Sequence, residues 1–152
     1  MGRASPRGLA LALLLTLRDQ KVNLPKATFL ISPWLDLKGT GESMTKNDGR
    51  DIWFTKKHID LWATWYVGNA DRMNPYISPV YGDLKNLCPI IVFSGDQEVL
   101  FDDSTRLAKA NSNIDLYIGK DMHHGWMISF AFLKDAKRAW EVLKKFLQDK
   151  IA

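Results

Sequence analysis

Cysteine is nearly absent: Cys88 stands alone among 152 residues. One thiol forms no intrachain disulfide and no cysteine-rich zinc site. It precedes the apolar run Pro89-Ile-Ile-Val-Phe93, which suits a buried structural thiol better than a nucleophile. Histidine is scarce as well, at three copies: His58, His123 and His124. Long hydrophobic runs are missing. The longest, Gly8 to Leu17, is too short to span a bilayer. It follows Arg3 and Arg7 as a secretory leader would, yet Arg18-Asp-Gln-Lys21 comes directly after it in place of a small-residue cleavage site. A buried helix and a cytoplasmic location are therefore expected. Charge of one sign is nowhere concentrated, because the net +4 is spread along the chain. The densest basic run, Lys134 to Lys145, is broken by Asp135, Trp140 and Glu141, so it reads as a solvated helix face and not a nucleic-acid patch. Repeats and low-complexity tracts are also missing.

What remains is the composition of an ordinary globular protein, 46% hydrophobic and 25% charged, with six Trp. The length allows one domain with a sizeable core. Leu and Ala over 8–20 predict a helix, apolar on most faces and so buried. Ala27-Thr-Phe-Leu-Ile31 is a short continuous apolar run that suits a buried parallel strand. Residues 38–50 read as a loop. Thr55 predicts the N-cap of a helix over 56–67, and 69–85 reads as extended loop. Pro89–Phe93 is a second strand. Asp102-Asp-Ser104 predicts a cap for a helix over 103–111, and Ile114–Ile118 a third strand. A last helix over 131–149 carries the stripe Leu133, Ala136, Trp140, Leu143 and Leu147. Strands alternating with helices imply an α/β fold with a parallel sheet covered on both faces. Three strands make a small sheet, and the first helix has no strand before it.

In such sheets chemistry gathers at the C-terminal ends of the strands. Three loops leave those ends: Ser32-Pro-Trp-Leu-Asp36, Ser94-Gly-Asp-Gln-Glu-Val-Leu-Phe-Asp-Asp103, and Gly119-Lys-Asp-Met-His-His-Gly-Trp126. An acid-bearing loop followed by a histidine-bearing loop fits the second half of a nucleophile–acid–histidine order. The imidazole would accept the nucleophile's proton, and the carboxylate would fix its tautomer and steady the imidazolium. Order alone is a weak signal, since a lone His in such a loop more often serves a structural hydrogen bond.

Five phrases sharpen it: Gly8-Leu-Ala-Leu-Ala-Leu-Leu-Leu15, Ser32-Pro-Trp-Leu-Asp-Leu37, Asn74-Pro-Tyr-Ile-Ser-Pro-Val-Tyr-Gly-Asp-Leu84, Glu98-Val-Leu-Phe-Asp-Asp103 and Asp121-Met-His-His-Gly-Trp126. In this order they resemble the C-terminal half of the hormone-sensitive-lipase-like branch of the α/β-hydrolases, close to bacterial acetyl esterases and short-chain lipases. The resemblance implies one partial α/β-hydrolase domain over 1–152: helix and strand at 8–37, insertion and loop at 38–85, and acid and histidine loops with the final helices at 86–152. It implies hydrolysis of short acyl esters, small-molecule substrates, and no metal or cofactor. It also implies a homodimer through Ile114–Ile118 and the last helix.

By the same resemblance His124 matches the catalytic histidine and Glu98 the acid, with Asp96 the alternative acid. Asp102 and Asp103 match the cap of the following helix. His123 is a bystander and His58 a surface residue. Trp34 and Trp126 sit beside the expected pocket or pack the core. The nucleophile departs from the pattern. The family's turn reads Gly-Asp-Ser-Ala-Gly-Gly-Gly ahead of the Leu/Ala helix; anchored on Gly8, this chain reads Gly2-Arg-Ala-Ser-Pro-Arg-Gly8. Ala4 takes the serine position and Ser5 falls one place late. Arg3, Pro6 and Arg7 suit a strained, tightly packed elbow poorly. The chain is therefore expected to be inactive alone. The alternative is a binding module that keeps the fold without the chemistry.

Overall fold

A computed structural model of the chain describes residues 6–151, the side chains of Pro6 and Arg7 excepted. Among these residues the elements run α1 (Pro6–Asp19), β1 (Thr28–Ile31), α2 (Ser43–Lys46), α3 (Lys56–Val67), a 3-10 turn (Pro79–Tyr81), β2 (Ile90–Gly95), α4 (Phe101–Ala110), β3 (Ile114–Gly119), α5 (Trp126–Ser129) and α6 (Lys134–Ile151). The three strands form one parallel sheet in the order β1-β2-β3. Ile31 pairs with Phe93, and Gly95 with Gly119. β2 is central and buried at all six positions, which is why its sequence runs apolar without alternation.

The two faces of the sheet carry separate layers. Leu30, Ile90, Val92 and Ile114 pack against Leu11, Leu14 and Leu15 of α1 and Leu107 of α4. Ile31, Ile91 and Phe93 pack against Trp126 and Met127 of α5 and Ala136, Ala139, Leu143 and Phe146 of α6. A third cluster joins Trp34, Leu37 and Met44 to Ile59, Ala63 and Val67 of α3 and to Val99 and Leu100. It lays α3 over the loops that leave the sheet. Thr55 caps α3 as its sequence predicts: its hydroxyl accepts from His58 N at 3.3 Å, and His58 Nδ1 accepts from Thr55 N at 3.4 Å.

Several expectations are corrected. α1 buries one face, while Leu9 and Leu13 are more than half exposed; β1 is an edge strand, and its Phe29 is exposed too. α4 begins at Phe101, after Leu100, with no side-chain cap. The acids expected to cap it serve other segments. Asp103 Oδ2 accepts from Leu35 N at 2.7 Å and Asp36 N at 2.9 Å, and Asp102 Oδ2 accepts from Ser43 N at 2.9 Å. α6 starts at Lys134, because α5 ends at Phe130 outside helical geometry. Its buried stripe is Ala136, Ala139, Leu143 and Phe146. The small alanines let the helix lie close to the sheet, so Trp140 is displaced to the flank, where its indole N–H bonds Met127 O.

Candidate active site

The site is assembled at the C-terminal edge of the sheet, where β2 and β3 end in glycines. A side-chain carbon at Gly95 would stand 2.5 Å from the Met122 carbonyl carbon and closer still to its oxygen. One at Gly119 would stand 2.7 Å from the Trp126 ring. The two bare backbones let the loop after β3 fold directly over the end of β2. Backbone bonds then join the loops: Asp96 N to Gly119 O and Gln97 N to Met122 O, both 3.1 Å. Asn47 ties the acid loop from the far side, donating to Asp96 O at 2.9 Å and Glu98 O at 2.8 Å.

Within this frame Glu98 is completely buried, and its Oε2 lies 3.3 Å from His124 Nδ1. The Oε1 accepts from Gly95 N at 2.6 Å and from the Ser32 hydroxyl at 2.7 Å. The His124 side chain keeps 12% of its surface exposed. Phe54 meets the imidazole edge-on at a ring separation of 4.6 Å, and Trp62 backs Phe54 in turn. A carboxylate at Nδ1 favours the tautomer that carries its proton on that nitrogen.

Of the residues singled out in the sequence, Glu98 and His124 come together. Asp96, the alternative acid, bonds the backbone of the histidine loop: its Oδ1 accepts from Asp121 N at 2.8 Å. Trp126, expected beside a pocket, is 0% exposed and stacks on Tyr117 in the core between sheet and α6; the space left by Gly119 is filled by its indole. Trp34 is nearly buried in the cluster under α3, its N–H bonded to Asp36 O at 3.1 Å. His58 is exposed. Ala4 and Ser5 lie outside the described residues. Local pattern does not disclose Ser32, Gly95, Gly119, Asn47 or Phe54. A glycine at the end of each of two neighbouring strands is the one sequence signal that points to a close crossing there.

Beneath the site a buried acid pair braces the loop after β1. Burial by itself would push the Asp36 carboxyl up, but bonds from the Thr40 hydroxyl and amide, Arg106 and Tyr81 outweigh it and hold it at about 2. For Asp103 burial dominates. With the neighbouring Asp36 charge it pushes the carboxyl up to about 7, against the two backbone N–H bonds it accepts. Among the described residues no group of three or more His, Cys, Asp or Glu is placed to hold a metal ion, and no helix is long and apolar enough to cross a membrane.

Residues 7–128 match a family described as alpha/beta hydrolase fold. An acetyl-hydrolase of Streptomyces hygroscopicus is 35% identical over 151 residues, which make up 97% of this chain and 50% of that protein. An esterase of Acinetobacter venetianus is 30% identical over 150 residues, covering 95% of this chain and 50% of its own. The crystal structure of an esterase from the bacterial hormone-sensitive lipase family superposes with a TM-score of 0.92 at 33% identity, over 98% of this chain and 52% of that one. The chain spans about half the length of the curated relatives it matches. A three-stranded parallel sheet with helices on both faces, an acid after its central strand and a histidine after the next complete the correspondence, and the chain belongs to the alpha/beta-hydrolase fold family, in its hormone-sensitive-lipase-like branch.

Proposed function

We propose that this chain supplies the acid–histidine half of a serine ester hydrolase acting on short acyl esters. The observation that carries the reading is the 3.3 Å approach of Glu98 Oε2 to His124 Nδ1, with the acid buried and the imidazole partly exposed. In this reading His124 takes the proton from a serine hydroxyl as that oxygen attacks the ester carbonyl, then returns it to the leaving alcohol. Glu98 orients the ring and stabilises the imidazolium. Water repeats the cycle on the acyl-enzyme. Asp96 is left as a brace of the histidine loop.

The chain alone is expected to be silent, because the position that aligns with the family's serine is Ala4 and Ser5 falls off the elbow. The test is a chimera in which the serine-bearing half of the Streptomyces acetyl-hydrolase precedes this chain. With para-nitrophenyl acetate, the chimera should turn over and the isolated chain should not. Turnover by the isolated chain, with a phosphonate probe on Ser5, overturns the assignment at the elbow. A folded chimera without turnover favours the second reading, a binding module, which Ala4 supports. The reading also places the protein in the cytoplasm. It expects a second copy as partner through Ile114–Ile118 and α6, where Ile118 is half exposed on the outer strand.

A further inference from the structure

Ser32 has no part in a serine–acid–histidine mechanism, yet among the described residues its side chain joins that of His124 at the Glu98 carboxylate. It is completely buried, so it can be neither nucleophile nor substrate contact. Its backbone sits at φ +49°, a region where glycine is the default and any other residue is strained. A strained serine held where glycine would be easier points to a need for its side chain. Its hydroxyl donates to Glu98 Oε1 at 2.7 Å and accepts from Gly125 N at 2.9 Å. Gly125 follows His124 directly.

These bonds close a ring. Glu98 Oε2 faces His124 Nδ1; the chain steps from His124 to Gly125; the Gly125 amide donates to Ser32 Oγ; and Ser32 Oγ–H donates to Glu98 Oε1. The Gly125 N–H occupies a lone pair of the hydroxyl and leaves its proton for the carboxylate. With Gly95 N on the same oxygen, Oε1 is saturated and the carboxylate cannot rotate away. Oε2 is thereby left turned to the imidazole. Ser32 also anchors the ring to the sheet, since its amide bonds Phe93 O at 2.7 Å. We propose that Ser32 is a positioning residue, a clasp whose hydroxyl locks the loop after β1 to both the acid and the histidine loops and fixes the Glu98–His124 pair. This rests on the acid–histidine reading above.

The experiment is nitrogen–proton NMR of the full chain, reading solvent exchange of the His124 Nδ1–H proton and of the Gly125 amide. Ser32→Gly removes the hydroxyl and relieves the backbone, so the fold survives; Ser32→Ala is the second variant, with circular dichroism as the check of folding. In Ser32→Gly both protons should exchange on the order of tenfold faster or more, the loss of one charge-assisted bond. Loss of the Nδ1–H signal in Glu98→Gln shows that the underlying pair exists. If Glu98→Gln abolishes the signal while Ser32→Gly leaves both exchange rates unchanged, the clasp is wrong and the pair stands. If Glu98→Gln leaves the His124 signal unchanged, or the unaltered chain shows no slowly exchanging Nδ1–H, the pair itself fails and the clasp with it.

Discussion

Replacing Gly95 by alanine should be among the most damaging single-methyl additions at the described residues. The new carbon would stand 2.5 Å from the Met122 carbonyl carbon, with the oxygen nearer still, and 3.1 Å from His123 N. Those neighbours are backbone, so no side chain can swing aside. Gly95 has no positive φ, so the cost is overlap and not conformational strain. Relief requires the histidine loop to lift, which stretches Gln97 N to Met122 O and the contact of Glu98 with His124. Overpacking costs about 1–3 kcal/mol and a lost hydrogen bond about 1 kcal/mol, so the loss should be about 2–4 kcal/mol. For a chain of this size that is a fall of roughly 10 °C in melting temperature. Gly49→Ala is the control: its φ is +83° and nothing lies within 4 Å of the added carbon, so it carries strain of about 1–2 kcal/mol without overlap. Urea unfolding and thermal melts of both variants check the comparison. A Gly95→Ala chain as stable as the Gly49→Ala chain would refute the close crossing of the two loops.

The buried acid pair predicts a pH profile of stability. Asp103 has a raised folded pKa, so the native state binds the extra proton, and stability should fall as pH rises from about 4 toward 7. Asp36 has a lowered one, so its contribution should be present above about 4 and lost as pH falls toward 2. Denaturant titrations of Asp103→Asn should lose the decline above pH 4 and keep the acid limb; an unchanged profile would contradict the assignment. Leu9→Lys with Leu13→Lys should reduce self-association of the isolated chain in sedimentation, because both side chains stand exposed on α1; an unchanged sedimentation coefficient would clear that face. Ile118→Lys should split a dimer formed along β3, and a dimer that persists would place the contact elsewhere.

The parallel sheet was legible because its strands alternate with helices and β2, buried on both faces, reads as an unbroken apolar run. α3 was legible from Thr55, whose cap is local chemistry. The acid and histidine loops followed from strand order, with residues 98 and 124 each one loop beyond a parallel strand. Short elements escaped. α2 lies in a stretch that reads as loop, and its turn is bound at a distance by Ser43 Oγ to Val99 O and Ser43 N to Asp102. The role of Ser32 escaped for the same reason, since its hydroxyl's partners lie 66 and 93 residues along the chain. Of the stripe expected for the last helix, Leu133, Ala136, Leu143 and Leu147 meet the core, while Trp140 stands at the flank because Ala139 and Phe146 fill the packed face beside it.

The assignment of Glu98 as the acid and His124 as the base is tested most directly by kinetics of the chimera carrying the relative's serine-bearing half. kcat/KM for para-nitrophenyl acetate should fall by roughly 10⁴-fold or more in His124→Ala and by about 10²-fold or more in Glu98→Gln. In Asp96→Asn it should fall far less, since that carboxylate holds the Asp121 amide and Gln97. A silent Glu98→Gln beside a disabling Asp96→Asn would contradict the account.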